Sequence, residues 1–399
     1  MVETAAQPQS RRVALIGPVP PFRSGIAQHT ASLAEALDEQ AEVLLLSFTR
    51  QYPAWLYPGE SDRDPDASPP EKPRPAFILD PLDPRTWMKA VRRIEAFGAD
   101  LVILPWWTVF FAPMSWALAR ACRRRGIPLR LFCHNVLDHE TAGWKALATK
   151  AVFRQAGAFA AHTRAEAARL ARLCPGASTI LHPHPLYDRF PPPSTALPRR
   201  ADLELLFFGL VRPYKGLPVL LEAMSQLDEQ TSVQLSVVGE FWSGREEAVA
   251  QIESLGLASR VELVPRYVSD AEAASYFERA DAVVLPYLSV TGSGVVANAF
   301  YYGKPVIASD LGGLAEAVVE GETGLLVPPD DAAALAKAIA GLSAERAADM
   351  EPSIRERTRD LTWAHLANCL LTVPSTPRDG EAETPERAQP SLAASQPTT

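Results

Sequence analysis

The segment Gly209-Leu-Val-Arg212-Pro-Tyr-Lys215-Gly216 sets two cations three residues apart between glycines. It follows the apolar run 204–208 and leads into a helical stretch at 217–227. Arginine can grip a phosphate with two N–H groups, and lysine adds a mobile point charge, so the pair suits a diphosphate. Lysine is scarce, 7 against 32 arginines, which sets Lys215 apart. The plain alternative is two solvated surface cations. A second segment, Thr291-Gly292-Ser293-Gly294 with Asn298 further on, joins the run 282–285 to a helix. Its backbone amides can cradle a phosphate, and Thr291 or Ser293 can also simply cap the helix. A third, Ser24-Gly25, closes the loop 17–25 at a helix start, where free N–H groups favour an anion. A Pro-rich turn accounts for it equally well.

A fourth cluster, His134, Asn135, Asp138, His139 and Glu140, follows the run 129–133. His134 at a strand end is expected to face a cleft. Metal ligation is a reading such a cluster invites, but the spacing matches no familiar zinc motif, and no metal is expected. Asp62-Arg-Asp64 has the form of a D-x-D metal motif, yet lies in a Pro-rich loop and is taken as chance. The aromatics Trp106, Trp107, Phe110, Phe111 and Trp116, followed by Arg120 and 123–125, read as core packing plus a cationic helix end. The sharper reading is a surface for anionic lipid.

These loops need elements to hold them. Short continuous apolar runs alternate with helical stretches through both halves of the chain, which predicts α/β structure with parallel sheets. In such sheets ligands bind beyond the C-terminal strand ends, where the candidate loops fall. The Pro-rich stretch near 190–198 excludes helix and divides two Rossmann-like domains. The expected organisation is a disordered start (1–11), a first domain (12–190) with a flexible Pro-rich loop (51–75), and a linker (191–201). A second domain (202–360), a returning helix (361–373) and a disordered tail (374–399) follow.

The 399 residues carry 47 acidic and 39 basic side chains, unevenly spread. Residues 1–200 hold 25 basic and 18 acidic groups, and residues 201–399 hold 14 and 29. This split disfavours a uniformly basic nucleic-acid binder, and no nucleic-acid partner is expected. Four scattered cysteines form no C-x-x-C pair, so neither a disulfide framework nor a structural zinc site is expected. With no apolar h-region and no long apolar run, a cytoplasmic location is expected.

Taken together, the loop 209–216, Ala282-Val-Val-Leu-Pro286, 299–309 with Gly303 and Pro305, Leu311-Gly312-Gly313-Leu-Ala-Glu316 and 321–328 with Gly324 resemble family 4 (group 1) glycosyltransferases. The resemblance covers 12–372 and is strongest over 204–340. It implies the GT-B architecture, two Rossmann-like domains facing an interdomain cleft, with a last helix crossing back to the first. It implies transfer of a sugar from a nucleotide-sugar donor to an acceptor hydroxyl with retention, without a bound metal or other cofactor. By resemblance, Arg212 and Lys215 hold the diphosphate, and His134 lies near the sugar or acceptor. Gly209, Gly216, Tyr267, Val268, Thr291, Gly292, Ser293, Gly294, Asn298 and Glu316 line the donor site. Ser24 and Gly25 form the acceptor-side phosphate loop. Many members carry two glutamates where this chain has Val290 and Asn298.

The acceptor is expected to be a sugar, glycan or glycolipid in glycan, polysaccharide or glycolipid synthesis. The basic first half adds peripheral contact with an anionic membrane, at its inner face. Two other readings remain at this point. A sugar-nucleotide epimerase would need cleft carboxylates, which 285–300 lacks. A non-catalytic nucleotide-sugar-binding protein fits the missing glutamates. An NAD dehydrogenase is disfavoured because no G-x-G-x-x-G follows a strand.

Overall fold

A computed structural model describes residues 11–53, 61–64, 67–136, 143–187 and 191–372. The expectations for 1–10, 138–140 and 374–399 lie outside the described residues.

The first half forms a seven-stranded parallel sheet in the order β3-β2-β1-β4-β5-β6-β7. Its strands are β1 (Arg12–Ile16), β2 (Glu42–Phe48), β3 (Ala76–Leu79), β4 (Leu101–Trp106), β5 (Leu129–Cys133), β6 (Ala158–Ala161) and β7 (Ser178–Leu181). Helices α1 (Gly25–Asp38), α2 (Pro84–Phe97), α3 (Ala112–Arg124), α4 (Gly143–Phe153) and α5 (Arg164–Leu173) cover it. Every residue of β4 and β5 is buried, as a central strand of a sheet covered on both faces requires. Three of these helices, α1, α2 and α5, start where the sequence supplies a cap: Ser24 accepts from Ala27 N, Asp83 from Arg85 N, and Thr163 from Glu166 N. Strand β3 and helix α4 go beyond the runs expected from the sequence. β3 is a four-residue edge strand with Phe77 turned outward, and α4 has only a weak apolar stripe.

The second half forms a six-stranded parallel sheet in the order β10-β9-β8-β11-β12-β13. Its strands are β8 (Leu203–Phe208), β9 (Val233–Val238), β10 (Val261–Val264), β11 (Ala282–Leu285), β12 (Val306–Ser309) and β13 (Gly324–Val327). The helices between and after them are α6 (Leu217–Ser225), α7 (Arg245–Ser254), α8 (Asp270–Arg279), α9 (Gly294–Tyr301), α10 (Gly312–Ala317), α11 (Ala332–Ala340), α12 (Ala344–Ala348) and α13 (Glu351–Thr358).

The last described helix, α14 (Trp363–Thr372), leaves the second sheet and packs on α1. Trp363, Leu366 and Leu370 share a buried cluster with Leu15, Leu33 and Leu37. Arg130, wholly buried in β5, donates from Nη1 to the Leu370 carbonyl at 2.5 Å. A guanidinium at a helix C-terminus complements the carbonyl end of the dipole. Burial, with Arg11 nearby, pulls its pKa down to about 10.

Two expected segments gain detail here. The described part of 51–75 is hydrogen-bonded to its surroundings: Arg23 N donates to Asp62 O, Asp64 N to Pro21 O, and Arg63 Nη2 to Thr49 O. The first loop provides the backbone partners that Pro-rich composition alone does not reveal. The aromatic group divides as well. Trp106 and Phe111 belong to the core, whereas Trp116 is exposed with the Arg120 guanidinium 5.4 Å from its ring.

Candidate active site

The C-terminal strand ends of both sheets face one cleft of about 1550 Å³. On the second-sheet side, β8 runs into the 209–216 loop. Gly209 (φ 97°) and Gly216 (φ 69°) take left-handed conformations that suit glycine. A Cβ on Gly216 would fall 1.9 Å from the Pro286 carbonyl oxygen, so only glycine lets the loop lie against the end of β11. Lys215 is buried, with Nζ 3.4 Å from the Phe208 carbonyl and 5.6 Å from the Tyr287 ring. Burial first, then the neighbouring Arg212, pulls its pKa down from 10.5 to about 7. The Arg212 guanidinium stacks on Trp242, 3.7 Å from the ring centroid. Two basic groups thus sit side by side, Lys215 buried and Arg212 half-buried, and an anion placed between them would relieve their repulsion.

The 291–294 segment approaches the same cleft at the start of α9. Ser293 caps that helix, accepting from Val295 N at 3.3 Å. The helix-cap reading is therefore realised, and the helix N-terminus still opens on the cleft, which Thr291, Gly292, Ser293 and Gly294 line. Gly313 makes this packing possible, since a Cβ there would lie 2.5 Å from the Thr291 carbonyl oxygen. Asn298 is buried on α9, and its Oδ1 has no hydrogen-bond partner among the described residues.

On the first-sheet side, Ser24 and Gly25 begin α1. A Cβ on Gly25 would meet nothing within 4 Å, so the amide end of the helix is open to the cleft. His134 follows β5 as expected, but it does not stand alone. His29 on α1, His162 after β6 and His184 after β7 gather around it, with His29 and His134 rings edge-on at 4.4 Å. Burial comes first among the causes that lower all four pKa values, to about 3 for His134 and about 4 for His184. These imidazoles are neutral at physiological pH. Sequence reasoning missed three of the four because they sit on separate elements. Applying the strand-end rule to β6 and β7 finds His162 and His184.

Several nominated residues join the two halves. Glu316 accepts from Arg164 N at 2.6 Å and Ala165 N at 3.0 Å, so its carboxylate caps the first turn of α5 across the cleft. Tyr267 donates its hydroxyl to Asp64 at 2.7 Å, and the Arg23 guanidinium lies 4.1 Å over its ring. Asp64, set aside as chance in the sequence, is thus a cleft residue, and its partner is a tyrosine. Val268 is buried beside Tyr267 on the same wall. Gln28 reaches Asp270 at 3.3 Å, and Leu186 N donates to Leu361 O.

Comparison with known proteins accords with this architecture. The family model described as "Glycosyl transferase 4-like domain" matches residues 24–203, and "Glycosyl transferases group 1" matches 202–345. A D-inositol 3-phosphate glycosyltransferase of Xylanimonas cellulosilytica is 32% identical over 250 residues, 57% of this chain and 59% of that protein. Another from Rhodococcus opacus is 36% identical over 174 residues, 41% and 39% of the two chains. These matches span about half the length of the curated relatives. Among solved structures, sucrose-phosphate synthase from Thermosynechococcus elongatus superposes with a TM-score of 0.71 at 23% identity, covering 90% of this chain and 97% of that one. Anabaena HepE, solved with UDP, superposes at 0.67 and 18% identity, covering 91% and 100%. The fold is GT-B, and two consecutive family models that run from residue 24 to residue 345 identify the chain as a member of the group 1 glycosyltransferases.

Proposed function

We propose that the protein is a retaining glycosyltransferase that moves a sugar from a nucleotide-sugar donor to an acceptor hydroxyl. The observation that carries this reading is the pair of buried Lys215 and half-buried Arg212, which lines one cleft together with the start of α9. As the glycosidic bond breaks, negative charge grows on the diphosphate. Fixed cations and helix amides stabilise that charge without reorganising. In this reading Arg212 and Lys215 do the work a metal would otherwise do, and no metal or cofactor takes part in the transfer. The second domain takes the donor, with Asn298 and the 291–294 segment against it. The first domain takes the acceptor, near Gly25 and His134. The test is incubation with nucleotide sugars and candidate acceptors, followed by NMR of the product. Release of nucleoside diphosphate with an unchanged anomeric configuration is expected. An inverted product would refute retention, and no turnover of any donor would favour a binding protein.

The acceptor is proposed to be a sugar, glycan or glycolipid met at an anionic membrane, the protein being cytoplasmic and peripheral at its inner face. No helix among the described residues is long and apolar enough to cross a membrane. Support comes from the neighbouring helices α2, α3 and α4, which carry four, three and two basic residues against the single acid Glu95. Trp116, Trp144 and Leu147 stand exposed on this face, Leu147 at 71%. Apolar side chains among cations suit the interface of an anionic bilayer. Sedimentation with anionic vesicles at low salt is expected, and its loss in Trp144→Asp/Leu147→Asp. Binding that ignores lipid charge would contradict this placement.

A further inference from the structure

Three histidines from separate elements converge on the first-sheet side of the cleft. His29 lies on α1, His134 just beyond β5 and His162 just beyond β6, and one nitrogen from each lies within 4.8 Å of the others. The Nε2 atoms of His29 and His162 are 3.0 Å apart. His162 Nδ1 is 2.9 Å from the His182 carbonyl oxygen, which places the proton on Nδ1 and leaves Nε2 with its lone pair. Ligand imidazoles are commonly held in this way, the far N–H on a backbone carbonyl and the near nitrogen presented to an ion. His134 Nε2 is buried and has no hydrogen-bond partner among the described residues. The neutral imidazole is the form that binds a metal.

We infer that His29, His134 and His162 form a site for a zinc-class transition-metal ion. Around a tetrahedral ion with bonds of about 2.0–2.1 Å, ligand nitrogens stand about 3.4 Å apart. The close His29–His162 pair then opens slightly, and the wider pairs draw inward. His29 shifts its proton from Nε2 to Nδ1, so the protein releases none. A fourth position is supplied from the cleft, which all three residues line, by water. Neutral imidazoles with no thiolate suit Zn²⁺, Ni²⁺ or Cu²⁺ rather than Mg²⁺ or Ca²⁺. The site is independent of the proposed transfer chemistry, because Arg212 and Lys215 belong to the other sheet.

The full chain, stripped with a chelator, is titrated with Zn²⁺ by calorimetry and with Co²⁺ by visible absorption. One ion per chain, a tetrahedral Co²⁺ spectrum and a Zn²⁺-induced rise in Tm are expected. His162→Gln and His29→Gln should each weaken binding by at least about tenfold. Circular dichroism reports whether they fold, and His134→Gln serves if they do not. Failure of the full chain to bind stoichiometrically, or unchanged affinity in the folded variants, would overturn the site. Zinc binding by a chain that ignores every nucleotide would support the metal site and count against the transfer reading alone.

Discussion

The two walls of the cleft differ in kind. The second-sheet wall concentrates charge: Arg212 stacked on Trp242, Lys215 buried behind it, and the start of α9 facing them. The first-sheet wall gathers four imidazoles that burial holds neutral. Yet the second half is the acidic half of the sequence and the first is the basic one. Net charge therefore does not locate the anion site. A few cations in a water-poor loop outweigh a distant, screened surface field, because interactions fade beyond a Debye length of about 8 Å. The basic surplus of the first half is instead prominent on the outer helices α2 to α4, away from the imidazole wall.

The sharpest way to break this contrast is Lys215→Ala. Transfer should fall by at least ~10²-fold, the scale of losing one group that stabilises transition-state charge. Tm should hold or rise, because the folded protein bears the burden of burying an amine. The pKa of Lys215 is lower folded than unfolded, so the unfolded chain binds more protons between about pH 7 and 10.5. The residue thus weakens the fold most below pH 7, and that penalty fades as pH rises through this window. Turnover at the wild-type rate would remove the second wall from the mechanism.

Next in size is Arg212→Lys, which keeps the charge but loses the flat fork and its stack on Trp242. Donor affinity should drop roughly tenfold. An unchanged Kd by calorimetry would mean that Arg212 acts as charge alone.

The pH dependence follows. A bound diphosphate favours the ammonium form of Lys215, so binding takes up a proton. Nucleotide affinity should decline above about pH 7, by up to about tenfold per pH unit, with no matching step from the neutral histidines near pH 6–7. Calorimetry in buffers of different ionisation enthalpy counts the protons, and a flat profile would contradict the pKa of about 7.

Glu316→Gln should have the smallest effect. It weakens a charge-assisted contact across the cleft to Arg164 N and Ala165 N, at an exposed site, by about 1 kcal/mol. A rise in KM of a few-fold is expected, with kcat largely kept. A collapse of kcat would place Glu316 on the reacting atoms rather than on the closure between walls.

Legibility in the sequence followed the same divide. The donor wall is built from one local loop and one strand-end segment, so Arg212, Lys215 and 291–294 stood out by spacing alone. The parallel strands were legible for a similar reason, since a strand buried on both faces is a continuous apolar run. The imidazole wall was not legible. His29 and His162 are 133 positions apart, and only the order β1-β4-β5-β6-β7 brings α1 beside the ends of β5 and β6. Asp64 was hidden too, because its role depends on Tyr267, 203 residues away across the cleft. Glu316 was found by resemblance, but its amide partners on α5 belong to the other half of the chain.

The central claim is that the Arg212–Lys215 wall holds a nucleotide diphosphate. Thermal melting of the wild-type chain and of Lys215→Ala, each with a panel of UDP-, GDP- and ADP-sugars, tests it most directly, since a ligand that binds only the folded state raises Tm. The account predicts a clear rise with at least one nucleotide family in the wild type and none in the variant. No rise with any nucleotide, or an equal rise in both proteins, would contradict it.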